Sequence, residues 1–360
     1  MLALLLAAAF LVQGTAATAT AAEWWEEAEP DESWDDGEAV PDDPWWEEDG
    51  SEASGQGDSF SVKTLKRLAE DYDNIPDGFL KAISRYETLS LNRLEEYVLE
   101  HKAPLEYIQR CFTDRFVFKA GDRLDYVYID ESLPQNDFDW DNLVHRSSGE
   151  IRYIEGDTSR AYKGIDVSVY QGDIDWEAVK EDGVRFAFIR LGYRGYGTGK
   201  LKLDEKFHQN MRGATRAGVK VGVYFYSQAI STREAVEEAE MVLRYLEDYD
   251  IDYPVVYDIE DAPSASARTR NLSGTQATKN VIAFCDAIQQ GGYRPMVYTN
   301  SKWFTQKLDL SKLQKYDKWL AQYYKVPFFP YEFDIWQYTG KGRVNGIKGD
   351  VDLNLSFFSY

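Results

Sequence analysis

The spacing of hydrophobic residues changes along the chain and separates it into regions. Over residues 60–118, apolar residues recur every three or four positions, which is the spacing of amphipathic helices. The stretch RFVFKAGDRLDYVYID alternates on both sides of a Gly–Asp pair, which predicts a β-hairpin. These patterns predict a small α+β unit over residues 60–135. The polar stretch over residues 136–162 has no regular spacing, and we interpret it as a linker.

From residue 163 onward, short apolar runs alternate with amphipathic helical patterns. Eight runs have the length and content of buried strands: GIDVSVY, RFAFIRLGY, KVGVYFYSQ, YPVVYDIE, RPMVYTN, KWLAQYY, FDIWQYT and DVDLNLSF. Eight strands with intervening helices predict an α/β fold, a closed parallel barrel of the (β/α)8 kind over residues 163–360. The later connections are too short for full helices, so the barrel should be irregular. An open, doubly wound sheet is the structural alternative.

The beginning of the chain differs from the rest in hydropathy and in charge. The formal net charge is −22, and residues 1–58 contain 16 acids and no Lys or Arg, which leaves −6 for the remainder. An apolar run followed by small residues predicts a signal peptide or signal anchor over residues 1–22. The segment lacks the basic n-region of a usual signal peptide, and a truncated start of the sequence would explain this. We therefore expect a protein that is secreted or attached to the cell surface.

Residues 23–59 are acidic and rich in tryptophan, and they lack the apolar spacing of a core. Repulsion between like charges predicts a disordered spacer, while the tryptophans leave open a weak contact at the cell surface. The mildly acidic remainder has no basic stripe, which argues against a nucleic-acid partner. No obligate protein partner is predicted. The two cysteines, Cys111 and Cys285, lack CxxC spacing, and we interpret them as core residues in preference to a disulfide.

Carboxylates stand where several of the predicted strands end. Asp166 lies in the first strand, Asp258 and Glu260 close the fourth, and Asp352 lies in the last. Chemistry in such barrels occurs at these strand ends, and residues two apart on a strand share a face. Paired carboxylates that face one cavity are typical of a glycosidase, and crowding should raise the pKa of at least one of them, which can then hold a proton and donate it. A metal site is the weaker alternative because no histidine lies nearby in the sequence.

Aromatic side chains near the same strand ends could stack on sugar rings. About half of them should be packing residues instead, since Tyr and Trp are common in strands. The residues that we expect to bind substrate are Tyr193, Tyr224, Tyr226, Tyr298, Trp319, Tyr323 and Gln337.

Residues 163–360 resemble the glycoside hydrolase family 25 lysozymes, the Chalaropsis-type N-acetylmuramidases. The matching segments occur in the family's order: GIDVSVYQGDIDW, FAFIRLGY, AGVKVGVYFYSQA, YPVVYDIE, YTN, WLAQY and WQYTGKGRVNGIKGDVDLN. The resemblance implies an irregular barrel, without a cofactor or metal, that hydrolyses the β-1,4 bond between N-acetylmuramic acid and N-acetylglucosamine. It also implies that Glu260 is the general acid, that Asp258 orients or stabilises the reacting acetamido group, and that Asp166 and Asp352 complete the acidic cluster.

Two classes of function follow from the resemblance. The first is a peptidoglycan hydrolase for wall remodelling, autolysis or lysis of competitors, with glycan strands as its partner. The second is a non-catalytic wall-binding protein on the same fold. We favour the enzyme because all four acids are present, and a binding protein has little use for a buried proton donor. The resemblance covers nothing before about residue 160, so the role of the small α+β unit is not assigned.

Overall fold

The computed structural model describes residues 58–262, 264–358 and 360. The predicted signal segment and nearly all of the acidic segment lie outside these residues. The strands are β1 (Ser59–Ser61), β2 (Thr88–Ser90), β3 (Arg115–Ala120), β4 (Arg123–Tyr128), β5 (Leu143–His145), β6 (Ile151–Glu155), β7 (Thr158–Ser159), β8 (Tyr162–Val167), β9 (Phe186–Arg194), β10 (Leu201–Leu203), β11 (Lys220–Tyr226), β12 (Val255–Asp258), β13 (Pro295–Asn300), β14 (Asp317–Ala321), β15 (Ile335–Gly342) and β16 (Val351–Ser356).

The α-helices are α1 (Val62–Ala69), α2 (Asp77–Ile83), α3 (Leu91–His101), α4 (Leu105–Gln109), α5 (Trp176–Glu181), α6 (Phe207–Ala217), α7 (Thr232–Leu246) and α8 (Gly274–Gln290). Short 3-10 or π segments cover Trp140–Asn142, Val169–Gln171, Trp303–Lys307 and Leu310–Lys312. Within the described ranges, no helix has both the length and the apolar character needed to cross a membrane. Cys111 and Cys285 are free thiols, and Cys285 is buried in α8.

In the small unit, α1–α4 pack against two antiparallel strand pairs, β1–β2 and β3–β4. The helical spacing of the sequence is the physical reason, because Val62, Leu65 and Ala69 form the buried face of α1. These residues share a core with Phe79 and Tyr107, which are fully buried. The elements of the predicted α+β unit are therefore present, and its limits as a domain stay a prediction.

The large sheet closes into a barrel of eight strands in the order β8, β9, β11, β12, β13, β14, β15 and β16, and β8 pairs with both β9 and β16. Neighbouring strands from β8 to β15 are parallel, whereas β16 is antiparallel to both of its neighbours. The predicted irregular, closed (β/α)8-like barrel is confirmed, but the expectation of a wholly parallel barrel is wrong at β16. Only eight residues join β15 to β16, and a parallel crossover needs about a dozen or more.

Alternation along the strands creates two cores, one inside the barrel and one around it. In β9, Phe186 and Phe188 face inward and join Trp319 in the interior cluster, whereas Ala187 and Ile189 face outward. The outer cluster packs the strands against α5–α8. Because large apolar rings fill the lower interior, polar side chains face the inside mainly near the carboxyl ends of the parallel strands.

Residues 136–162 are not the irregular linker that the sequence predicts. β5, β6 and β7 form an antiparallel sheet in this stretch, and the Phe138 and Trp140 rings lie 5.1 Å apart, packed against the outer core of the barrel. Ile151 and Tyr153 of β6 are buried in the same core. The sequence shows no periodicity here because the strands span only two to five residues.

The connection between β14 and β15 is a loop, residues 322–334, which we call the strap loop. It leaves the barrel at the carboxyl end of β14 and runs along the small unit and the segment that follows it. Glu332 donates its backbone N–H to the Pro134 carbonyl (3.1 Å), and the rings of Phe116 and Phe328 lie 5.5 Å apart. The strap loop therefore joins the amino-terminal part of the described chain to the barrel.

Candidate active site

The four predicted acids meet at one end of the barrel. Asp166 in β8 pairs directly with Asp352 in β16, which puts the two side chains on one face with Cβ atoms about 5 Å apart. Asp258 is the last residue of β12, and Glu260 follows two positions later. β12 and β16 are four strands apart in an eight-stranded barrel, so they lie on opposite walls. Two pairs of acids therefore face each other across the mouth.

Two amide side chains hold Asp166 in place. Gln337 and Asn354 each donate an amide N–H to Asp166 Oδ2, at 3.0 Å and 2.8 Å. Gln337 Oε1 accepts from the hydroxyls of Tyr298 (2.8 Å) and Tyr323 (2.9 Å), which fixes the direction in which its NH2 group points. An ionised carboxylate only accepts hydrogen bonds, and it accepts them more strongly than a neutral acid, so two donors on one oxygen stabilise the ionised form. The geometry therefore favours Asp166 as a fixed negative charge.

Asp258 is only 5% exposed and lies between Tyr226 of β11 and Tyr298 of β13 in the strand register. Its Oδ1 atom is buried and has no hydrogen-bond partner among the described residues. Burial, and then the negative charge of Asp166, raise the pKa of Asp258 well above its usual range, and the positive charge of Arg190 opposes this rise. The raised pKa of Asp258 was not predicted, and the role of proton donor that the resemblance implies for Glu260 stays a prediction.

Arg190 is a site residue that the sequence analysis missed. Its Nε donates to Asp204 Oδ2 at 2.8 Å, and its guanidinium lies 5.0 Å from the Tyr170 ring centre and 5.4 Å from that of Tyr193. The signal was present in the strand RFAFIRLGY, because the arginine follows the two inward-facing phenylalanines at the same two-residue spacing. Tyr193, predicted to bind substrate, thus has one face directed at this guanidinium.

The other predicted tyrosines lie near the acids. Burial raises the pKa values of Tyr224, Tyr226 and Tyr298 well above their usual range, and the charge of Glu260 adds to the rise for Tyr226 and Tyr298. Glu260 is therefore close to both rings. Tyr323 is 40% exposed at the start of the strap loop. Its partly exposed ring and its hydrogen bond to the buried Gln337 place it at the edge of the mouth.

Two of the residues predicted to bind substrate lie too deep for direct contact. Trp319 is 1% exposed, and its ring lies 4.5 Å from Phe188, so it forms the floor beneath the acids. Its Nε1 donates to Asn354 Oδ1 at 2.8 Å. Gln337 is 2% exposed and acts on a substrate indirectly, through its hydrogen bonds to Asp166, Tyr298 and Tyr323. The missed residue Asn354 stands two positions after Asp352, a spacing that would have placed it on the same face.

The described residues include no group of three or more His, Cys, Asp or Glu side chains placed to hold a metal ion. The absence of a metal cofactor stays a prediction. What the mouth offers is a pair of acids on each of two facing walls, tyrosine rings between them and one fixed guanidinium.

Comparison with known families agrees with this arrangement. The sequence model described as Glycosyl hydrolases family 25 matches residues 165–347, about half of the chain. The chain belongs to this family of glycoside hydrolases. The match begins one residue before Asp166, includes Asp258 and Glu260, and ends five residues before Asp352.

Two curated relatives support the assignment, and one solved structure has a similar fold. An autolytic lysozyme of Clostridium acetobutylicum is 30% identical over 193 residues, which cover 53% of this chain and 55% of the relative. Lysozyme M1 of Streptomyces globisporus is 31% identical over 208 residues, covering 55% and 68%. The modular autolysin LytC of Streptococcus pneumoniae matches the fold with a TM-score of 0.51 at 24% identity, covering 68% and 57%. The chain thus spans only about half the length of the Clostridium relative.

Proposed function

We propose that this protein is a secreted or surface-attached peptidoglycan hydrolase that cleaves the β-1,4 bond between N-acetylmuramic acid and N-acetylglucosamine. Its membership of family 25 and the lysozyme names of two relatives support the substrate class. The predicted signal segment supports the location. The observation that carries the proposal is Asp258 Oδ1, a buried carboxylate oxygen without a partner among the described residues. A buried acceptor of this kind gains a full hydrogen bond when a substrate N–H reaches it.

The placement of the acids favours a reaction in which the substrate supplies the nucleophile. Asp258 and Glu260 belong to one wall, whereas retaining enzymes place two carboxyl groups about 5 Å apart on opposite sides of the bond, and inverting enzymes leave about 6.5–9.5 Å for a water. The 2-acetamido oxygen of the substrate can instead attack the anomeric carbon. Glu260 then gives its proton to the departing glycosidic oxygen as the bond breaks.

Asp258 would accept the acetamido N–H and stabilise the positive charge that develops on this group. A carboxylate whose pKa is raised by burial is a more basic acceptor, which suits that task. Water then attacks the anomeric carbon, the bond to the acetamido oxygen breaks, and the proton returns to Glu260. Because the anomeric carbon is attacked twice, the product retains the β configuration.

The proposal is tested by incubating the purified full chain with isolated peptidoglycan. New reducing ends are reduced with borohydride and identified by mass spectrometry, and we expect N-acetylmuramic acid at the new ends. Glu260→Gln keeps the shape of the side chain and removes the proton, so release should fall by about 10²- to 10⁴-fold while wall binding persists.

Asp261→Asn is the matched control, because Asp261 is the adjacent acid and is exposed to solvent. It should leave the rate unchanged. If the wild type binds the wall but releases no new ends, the non-catalytic wall-binding protein is the better interpretation. If Glu260→Gln hydrolyses as fast as Asp261→Asn, Glu260 is not the proton donor.

A further inference from the structure

The small unit, residues 60–135, has no catalytic cluster of its own, yet it contacts the loop that leaves the catalytic mouth. We propose that this unit is an intramolecular brace: it fixes the strap loop and so keeps Tyr323 in position to orient Gln337 and Asp166. This inference rests on the proposed function, because its main measurement is hydrolysis. It assigns to the amino-terminal unit a positioning role in catalysis.

The first contact of the brace lies two residues after Tyr323. Glu106, in α4, accepts the backbone N–H of Lys325 through Oε1 at 2.5 Å. The Lys325 side chain reaches the same unit, since Nζ donates to the Asp71 carbonyl at 3.2 Å and lies 5.5 Å from the Tyr72 ring centre. Backbone and side chain of one strap-loop residue are thus both bound by the small unit.

The second contact lies further along the strap loop. Asn136 donates its side-chain amide to the carbonyls of Phe329 (2.7 Å) and Tyr331 (3.0 Å), and its backbone N–H to the Pro330 carbonyl (2.8 Å). The Phe116 ring of β3 packs against the Phe329 ring at 6.0 Å. Strand alternation explains how β3 contacts both cores. Phe116 faces the outer core of the barrel, and the following residue, Val117, faces the core of the small unit.

A short chain of hydrogen bonds leads from this loop to the acids. The Tyr323 hydroxyl donates to Gln337 Oε1 at 2.9 Å, and Gln337 donates to Asp166 Oδ2 at 3.0 Å. Tyr323 itself is partly exposed, so the packing of its ring alone does not hold it. A thirteen-residue loop without regular structure is mobile unless its backbone is held. The bond from Glu106 and those from Asn136, the first residue after the small unit, add to the hydrogen bonds that Gln322 makes with Gln337 and Phe328.

The direct test is Glu106→Ala in the full chain. This change removes the acceptor of the Lys325 N–H and leaves every residue of the mouth intact. We expect kcat/KM on isolated peptidoglycan to fall about fivefold or more, the lower end of usual couplings between sites. Glu106→Gln keeps an acceptor oxygen at the same place and should restore most of the rate.

Glu96→Ala is the matched control, because Glu96 is an acid of the same unit whose side chain pairs with Arg93, at 2.9 Å on the surface. It should leave the rate unchanged. Thermal melts of all variants show whether each one is folded at the assay temperature.

Coupling to Tyr323 separates positioning from general destabilisation. If the brace acts through Tyr323, Glu106→Ala combined with Tyr323→Phe should be no slower than the slower single variant. Multiplicative losses in the double variant would contradict the brace. Hydrogen exchange gives a readout without substrate: amides of residues 322–326 should exchange faster in Glu106→Ala than in Glu96→Ala, and equal exchange would overturn the proposal.

The two proposals fail in different ways. An inactive wild type contradicts the proposed function, and the exchange measurement still tests the brace. An active wild type with Glu106→Ala as fast as Glu96→Ala contradicts the brace and leaves the proposed function standing.

Discussion

Asp258 shows how a single position can combine two conflicting requirements. As an acceptor for a substrate N–H it must be ionised, yet burial and the charge of Asp166 both favour its protonated form. Arg190 offsets part of this effect, and Asp204 holds Arg190 in place. The ionisation of Asp258 therefore depends on its burial first, and then on one negative and one positive neighbour on other strands.

The pH dependence of activity should report this balance. Hydrolysis needs ionised Asp258, so the acid limb of kcat/KM should lie above about 3.9, the usual pKa of an aspartate. Asp166→Asn removes a like charge and should move the limb to lower pH, whereas Arg190→Gln removes an opposite charge and should move it to higher pH. The residual activities of both variants are measured across pH, and shifts in the same direction would contradict this account.

The stereochemistry of the product tests the role of Asp258. Asp258→Asn keeps the size of the side chain but removes the negative charge, so we expect hydrolysis to fall by at least about 10²-fold. Proton NMR of the first-formed wild-type product should show the β-anomer, and substrates without the N-acetyl group should not react. A product that starts as the α-anomer would point to direct attack by water.

At the scale of elements, the barrel strands could be predicted because buried strands are short apolar runs bounded by turn residues. The direction of β16 could not be predicted from its pattern, because parallel and antiparallel strands have the same side-chain alternation. Only the length of the connecting loop distinguishes them. The strands β5–β7 were too short to show a period.

In the site, the acids were predicted from their positions at strand ends. Arg190 and Asn354 were missed because the two-residue spacing from Phe188 and from Asp352 predicts the face on which a side chain lies and does not predict its role there.

A glycine in β8 tests how tightly the barrel interior is packed. A Cβ atom added to Gly164 would lie 2.1 Å from the Phe186 ring, whereas one added to Gly197 would meet nothing within 4 Å. Overpacking of a core typically costs about 1–3 kcal/mol. Gly164→Ala should therefore lower the free energy of unfolding by about that amount, and Gly197→Ala should leave it nearly unchanged. Denaturant titration compares them, and equal stabilities would mean that the barrel closes less tightly than described.

At the scale of the whole molecule, the barrel depends on chain that precedes it. The sequence predicts that a fragment beginning near Asp157 folds alone because the preceding linker looks unpaired. The structure places Tyr153 and Ile151 in the outer core, and Phe138 packs against Phe333 with ring centres 5.4 Å apart. The fragment would expose the partners of these rings, so the structure argues against independent folding of a fragment that begins there.

Removal of residues 1–156 should therefore destabilise the barrel. We expect a melting temperature at least several degrees below that of the full chain, or aggregation, because each buried aromatic ring lost typically costs about 3–5 kcal/mol. A fragment that begins at residue 136 keeps β5–β7 and should recover part of the loss. Circular dichroism melts of the three proteins decide this, and identical melting of the fragment from Asp157 and the full chain would contradict it.

The closure of the barrel by β8 and β16 also has a consequence for biosynthesis. Asp166 accepts a hydrogen bond from the side-chain amide of Asn354, a residue 188 positions further along the chain. Asp166 also pairs with Asp352 across the β8–β16 ladder. A ribosome delivers the chain from its amino end at about 5–20 residues per second. β16 is therefore synthesised roughly ten seconds or more after β8. Until β16 emerges, a nascent chain has only part of its acids and amides in place. A glycan-cleaving activity on such a barrel would arise only after the ribosome has delivered β16.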